Sequence, residues 1–142
     1  MGLIVLYLLS YEAMINCPLS EVTSTVQRVI TDTGYEIGYK DRNNIITAIA
    51  ELSIKDLSRY IIEEFPDDNP GWSQARVQIF IELRSIDSDN TKIEINAGFE
   101  RFGTPSALLL IPPDWQSVQS NGSLEQELMD KINSILSTRE EK

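Results

Sequence analysis

Three groups of side chains in this sequence have the types that chemistry uses. The first is acidic. Asp67-Asp68-Asn69 and Asp87-Ser88-Asp89-Asn90 gather oxygen donors of the kind that ligate Ca²⁺. A Ca²⁺ loop of the EF-hand type also needs alternating Asp/Asn, a central glycine and a distal glutamate. Neither cluster has that pattern, so both read as turns. Glu63-Glu64 and Glu140-Glu141 are adjacent carboxylates. Neighbours in sequence diverge on a helix, so neither pair makes an acid–base couple across a substrate.

The second group is nucleophilic, and it is nearly empty. Cys17 is the only cysteine and there is no histidine. That excludes an internal disulfide, a cysteine-cluster metal site and the triads built on histidine. Any metal would have to be held by oxygen alone. No Gly-rich phosphate loop occurs either. The expectation is a protein with no catalytic residues, no metal and no cofactor.

The third group is aromatic and apolar. Trp72 follows Asn69-Pro70-Gly71, and Trp115 follows Pro112-Pro113-Asp114. Between them runs Leu108-Leu109-Leu110-Ile111. In one reading each tryptophan packs over an edge of the core. In the other, the two flank a groove for an apolar or protein ligand, and the Leu108, Leu109, Leu110 and Ile111 stretch is the exposed patch of an interface. The candidate contact set is therefore Trp72, Leu108, Leu109, Leu110, Ile111 and Trp115. Asn121-Gly122-Ser123 fits the N-glycosylation pattern but is better explained as a turn plus a helix cap.

Length and charge bound what such a set can serve. The chain has 142 residues, 42% of them hydrophobic, enough for one domain with its own core. Its formal charge of -10 repels phosphate backbones, so nucleic acid is not an expected partner. The acidity reads as a solvated surface.

The elements that must position these residues follow from periodicity. Tyr11, Ala13 and Ile15 share a parity, which predicts a strand over Ser10–Asn16. Pro18 and Ser20 open a helix whose Val22, Val26, Val29 and Ile30 form one face, with Gly34 as its left-handed cap. Tyr35–Tyr39 and Ile45–Leu52 predict a hairpin around Asp41–Asn44. Ser53 and Asp56 make a capping-box pattern, and Ile54, Leu57, Ile61 and Phe65 fit a short helix, while Tyr60-Ile61-Ile62 also suits a strand, so 54–65 stays open between the two. Strict alternation over 77–83 and 93–99 predicts a second hairpin with one wet face. Gly103–Gly122 shows no clear element. Ser123 and Gln126 then cap a last helix with Leu124, Leu128, Ile132, Ile135 and Leu136 on its apolar stripe. The sum is an α+β domain: a two-layer antiparallel sheet of about five strands, with N- and C-terminal helices packed on one face. It spans residues 10–137, after an apolar segment 1–9 and before a fraying tail 138–142.

The apolar run Leu3-Ile4-Val5-Leu6-Tyr7-Leu8-Leu9 is too short for a membrane-crossing helix. It reads either as part of an export signal or as strand. Cys17 follows Met14-Ile15-Asn16 and precedes Pro18, which does not suit acylation, so it reads as a small buried group at a strand-to-helix corner.

The runs Ser10-Tyr11-Glu12-Ala13-Met14-Ile15-Asn16-Cys17-Pro18-Leu19-Ser20-Glu21-Val22, Thr33-Gly34-Tyr35-Glu36-Ile37 and Asp41-Arg42-Asn43-Asn44-Ile45-Ile46-Thr47-Ala48 share a recognisable layout, continued by Trp115 and by Ser120-Asn121-Gly122-Ser123-Leu124-Glu125. It resembles small bacterial envelope lipoprotein domains, in the style of the helix-grip, TATA-binding-protein-like domains in the lipoprotein subunit of the outer-membrane β-barrel assembly machinery. The resemblance implies a helix-grip arrangement, a place in the bacterial cell envelope (periplasmic or peripheral to a membrane) and a binding or scaffolding role toward protein partners without catalysis. A cytoplasmic place stays open on the residues alone. The alternative function is carriage of a small apolar molecule between helices and sheet, which needs a cavity of several hundred Å³ there.

Overall fold

In the computed structural model the described residues are 11–62, 71–104 and 112–140, the last three in backbone only. The segment 1–9, Glu63-Glu64, Phe65, Asp67-Asp68-Asn69, Leu108–Ile111 and Glu141 lie outside them.

Alternation builds the centre. β5 (Trp72–Asp87) and β6 (Asn90–Gly103) form one long antiparallel hairpin. Ala75, Val77, Ile79, Ile81 and Leu83 of β5, with Ile93, Ile95, Ala97 and Phe99 of β6, are buried on one face. Phe80, Glu82, Lys92, Glu94 and Asn96, between them, stay partly exposed on the other. Short strands complete both edges. β1 (Tyr11–Ile15) pairs with Thr91–Ile95, and β7 (Asp114–Val118) pairs with Phe99–Gly103. On the far side, β3 (Asn44–Thr47) and β4 (Ala50–Leu52) divide the edge of β5, and β2 (Ile37–Lys40) pairs with β3. Among the described residues the sheet has seven strands.

The α+β class therefore holds, with two strands more than the sequence predicted. One arises because Ile45–Leu52 is not continuous. Where β3 stops, the Oγ1 of buried Thr47 accepts the Ile79 backbone N–H at 2.9 Å, and the Gln78 amide donates to the Thr47 carbonyl at 3.1 Å. Side chains thus fill the ladder across the break, and β4 resumes two pairs later. The other is β7, which lies inside the stretch that showed no pattern.

Helix α1 (Leu19–Asp32) buries Val22, Val26, Val29 and Ile30, as its spacing required. Gly34 ends it at φ 95°. Its N–H donates to the Thr31 carbonyl and the Tyr35 N–H to the Ile30 carbonyl, both at 3.1 Å, which is the Schellman pattern. Helix α2 (Ile54–Ser58) starts at the expected cap, with Ser53 Oγ accepting the Asp56 N–H at 3.0 Å. It stops well short of residue 65. Asn121 and Ser123 take the Arg59 carbonyl, Asn121 N–H takes the Tyr60 carbonyl, and Ile61 forms a bridge with Ser120. Tertiary hydrogen bonds here end a helix that periodicity would continue. Asn121 is thereby committed to a structural turn, as read.

Helix α3 (Ser123–Glu140) runs through Glu140, past the point where a tail was expected, in a stretch without Gly or Pro. Ser123 donates to Arg59 rather than closing a capping box with Gln126. The buried carboxyl here is instead Glu125, fully covered, with Ser120 Oγ 2.9 Å from both its oxygens. Burial raises the Glu125 carboxyl above its ordinary value. The bonds from Ser120 and from the backbone N–H groups of Glu125 and Ala97 pull the other way and do not offset it. Ala97 is the point on β6 between the stretches covered by β1 and β7, so Glu125 fills the gap between those strands.

All three helices contribute to one core with the buried sheet face; Val26, Leu57, Phe99, Leu128 and Ile132 belong to it. Cys17 is buried at the β1–α1 corner, as expected, and its carbonyl accepts the hydroxyl of buried Thr91 at 2.8 Å.

Two outcomes follow. A carboxyl whose folded-state pKa lies above its unfolded one weakens folding when charged. That penalty is absent below about 4.5 and is complete once pH exceeds the folded value. In urea unfolding from about pH 4 to about pH 7, the difference between Glu125→Gln and wild type should therefore move in the variant's favour as pH rises; a constant difference refutes it. Thr25 Oγ1 is buried without a hydrogen-bond partner. Thr25→Val keeps the shape and removes the orphan, so the urea midpoint should rise by the equivalent of about 1 kcal/mol.

Candidate interaction surface

At the end of the sheet away from the Asp87–Asn90 turn, β5, β6 and β7 lie side by side. Their register decides where the tryptophans go. Trp115 is opposite Phe102, and Phe102 is opposite Gln74. This row shares the helix-free face with Arg76, Glu100 and Ser117, which are also directly paired. Trp72 is opposite Gly103, and Gly103 is opposite Asp114, on the face that carries Phe99 and Arg101. A bulge between Trp72 and Gln74 produces that offset.

The two tryptophans therefore sit on opposite faces and do not flank one groove. Trp72 is 8% exposed and belongs to the edge of the core. The Arg101 guanidinium lies 4.0 Å from its ring centre and donates to Gln116 Oε1 at 3.1 and 2.9 Å. Trp115 is half-buried. The Arg76 guanidinium stacks 3.8 Å from its ring centre, and the Phe102 ring meets it edge-on at 5.3 Å. Arg76 Nε donates to Glu100 Oε1 at 2.6 Å, with both side chains largely covered. A planar guanidinium satisfies an aromatic face and a carboxylate together, which fixes the indole with little freedom left to lose. Leu108, Leu109, Leu110 and Ile111 lie outside the described residues; of the two described members of the candidate set, Trp115 stands on the helix-free face and Trp72 does not.

Sequence reasoning missed Arg76, Glu100 and Phe102 there. It also missed a row on the same face, Tyr39 opposite Ile46 and Ile46 opposite Phe80. A visible signal existed for one of them, because Phe80 interrupts the polar parity Gln78, Glu82, Arg84. Next to this row lies a hollow of about 460 Å³ lined by Gly38, Tyr39, Ile46, Thr47, Ala48 and Gln78. A second hollow of about 300 Å³ opens between α1 and α3, at Val29, Thr33 and Ile135. Neither lies between helices and sheet, where a carried ligand was expected.

The turn carboxylates are engaged locally. Asp87 accepts the Asp89 N–H at 2.8 Å and the Asn90 amide at 2.9 Å. Those bonds, the Asn90 amide foremost, hold its carboxyl below the usual range. Asp41 is held low in the same way by the Asn43 N–H, the Tyr39 hydroxyl and Asn44.

Gly103 fixes how closely Trp72 approaches. Its φ is 152°, and a Cβ there would fall 1.7 Å from the Gly71 carbonyl oxygen. Gly103→Ala should destabilise the fold by about 2 kcal/mol or more, through both strain and clash, and shift tryptophan emission on thermal unfolding to a lower midpoint. An unchanged midpoint contradicts this geometry.

No protein-family model matches this chain, and comparison with curated proteins finds no significant match.

Proposed function

We propose that this chain is a non-catalytic binding or scaffolding domain that docks a protein partner on the helix-free face of its sheet. The contact centre is Trp115 with Arg76 and Phe102. One observation carries the reading: a half-buried indole, held by a guanidinium and an aromatic edge, on a face that no described helix covers. Tryptophan and arginine dominate binding energy at protein interfaces, and a side chain already immobilised loses little entropy on docking. Glu100 keeps Arg76 in place whether or not a partner is bound. Gln74 and Ser117 supply a polar rim.

We place this binding at the bacterial cell envelope on the strength of the layout of residues 10–48. No helix among the described residues is long and apolar enough to cross a membrane.

A photo-crosslinking residue placed at Gln74 or at Ser117 in cells should capture the same discrete protein, and one at Arg28 on the outer side of α1 should not. Trp115→Ala should reduce capture from both sheet positions by at least about thirtyfold, the equivalent of about 2 kcal/mol. Equal capture from Arg28, or capture undiminished by Trp115→Ala, refutes the reading. A captured protein residing in the cytoplasm refutes the envelope placement alone.

A further inference from the structure

The half of the helix-free face nearest the Asp87–Asn90 turn carries its charge in rows. Glu82 on β5 lies directly opposite Glu94 on β6, and Glu94 lies directly opposite Glu12 on β1. One step along the strands, Arg84 lies directly opposite Lys92. Like charges facing each other across strands destabilise a sheet. Within one chain the relief is modest. Arg84 Nη2 reaches Glu82 Oε1 at 2.8 Å and Lys92 Nζ reaches Glu12 Oε2 at 3.6 Å, between side chains that remain 37% to 64% exposed. Exposed pairs of this kind contribute little.

An acidic row beside a parallel basic row is complementary to itself. Consider a two-fold axis lying between two such faces, parallel to the rows and midway between them. It sets Glu82 of one copy over Arg84 of the other and Glu94 over Lys92, with both pairs repeated by symmetry, while Glu12 at the β1 edge meets Met14, the residue opposite Lys92. The same rotation carries Phe80, one row outside the acids, toward the bulged end of β5, where Asp87 lies opposite Asn90 and Ile86, 50% exposed, is the inserted residue. On β6 the outer rows are Asn96 and Asn90, both uncharged. No other surface of the chain is needed to close the pair.

We propose that two copies of this chain associate face to face through this half of the sheet, acidic row on basic row. Four rows on β5 and β6, with two more positions on β1, cover at most about 14 Å by about 24 Å at ordinary strand spacing and rise. Aligned sheets cross at about 30°, which a patch this small accommodates. An area of a few hundred Å² per copy belongs to weak association, and its charge pairing makes it dependent on salt. This inference does not rest on partner binding at Trp115. That cluster lies at the other end of β5 and stays uncovered in the pair.

Sedimentation velocity on the full chain tests it, over concentrations up to about 1 mM, at low salt and at about 1 M salt. Wild type should dimerise reversibly, and its advantage over both double variants should shrink at about 1 M salt, because salt screens the row pairing while the repulsion between copies of charge -10 is relieved for all of them. Glu82→Lys/Glu94→Lys makes the face uniformly basic, and Arg84→Glu/Lys92→Glu makes it uniformly acidic. Each double variant, with its circular dichroism unchanged, should be monomeric where wild type is half dimeric. Their equimolar mixture should recover dimer. Trp115→Ala should dimerise as wild type does, which separates this proposal from partner binding. A wild type that stays monomeric throughout, a double variant that dimerises like wild type, or a mixture that fails to recover overturns the proposal.

Discussion

Every other side chain along β5 and β6 goes to the helices, and the two strands are locked in one register over most of their length. A slip of one residue would send Val77, Ile79, Ile81, Ile93 and Ile95 to water and put Glu82, Lys92 and Glu94 into the core. The burial of so many β-branched side chains makes that slip prohibitive. The remaining elements take their places from this hairpin. Helices cover its dry face, and four short strands dress its two long edges, with β2 added outside β3. The placement of Trp115 and Arg76 on one side, and of Trp72 and Arg101 on the other, follows from the same register and a single bulge.

The edges show how short strands are joined without leaving polar backbone stranded. On β6, β1 and β7 each cover one stretch, and the Glu125 carboxylate answers the Ala97 N–H between them. On β5, β3 and β4 each cover one stretch, and the Thr47 hydroxyl answers the Ile79 N–H between them. The device is the same on both sides. A buried side chain stands in for a missing strand residue, because an orphaned buried N–H would cost as much as the hydrogen bond it lacks. The two solutions differ in chemistry. A hydroxyl stays neutral, whereas a carboxylate makes the closure of that edge depend on protonation.

Much of the architecture was legible in the sequence. The face of α1 and its glycine stop could be read off residues 22 to 34. The alternation over 77–83 and 93–99 marked the central strands and their wet face. β7 was not legible, because Asp114-Trp115-Gln116-Ser117-Val118 is too short and too polar to show a period and follows two prolines. The end of α2 was hidden for a different reason. It is set by Asn121 and Ser123, some sixty positions away, and no local pattern encodes them. The sidedness of the tryptophans was hidden by the Trp72–Gln74 bulge, since one inserted residue reverses a face without altering composition. Phe80 was the one site residue whose oddity stood in plain view.

The pairing of β1 with β6 has a consequence for biosynthesis. Tyr11 to Ile15 leave the ribosome about eighty residues before their only described strand partners, Thr91 to Ile95. At ordinary elongation rates the gap is on the order of ten seconds. Throughout it, β1 presents unpaired N–H and C=O groups on both sides, next to half-apolar Tyr11, Ala13 and Ile15. The last turn of α1 can form at once from local bonds, but the strand before it waits for most of the chain. A nascent form of this protein thus carries an unpaired β1 segment beside a helix that still lacks the core it packs on, a natural substrate for whatever escorts unfinished chains.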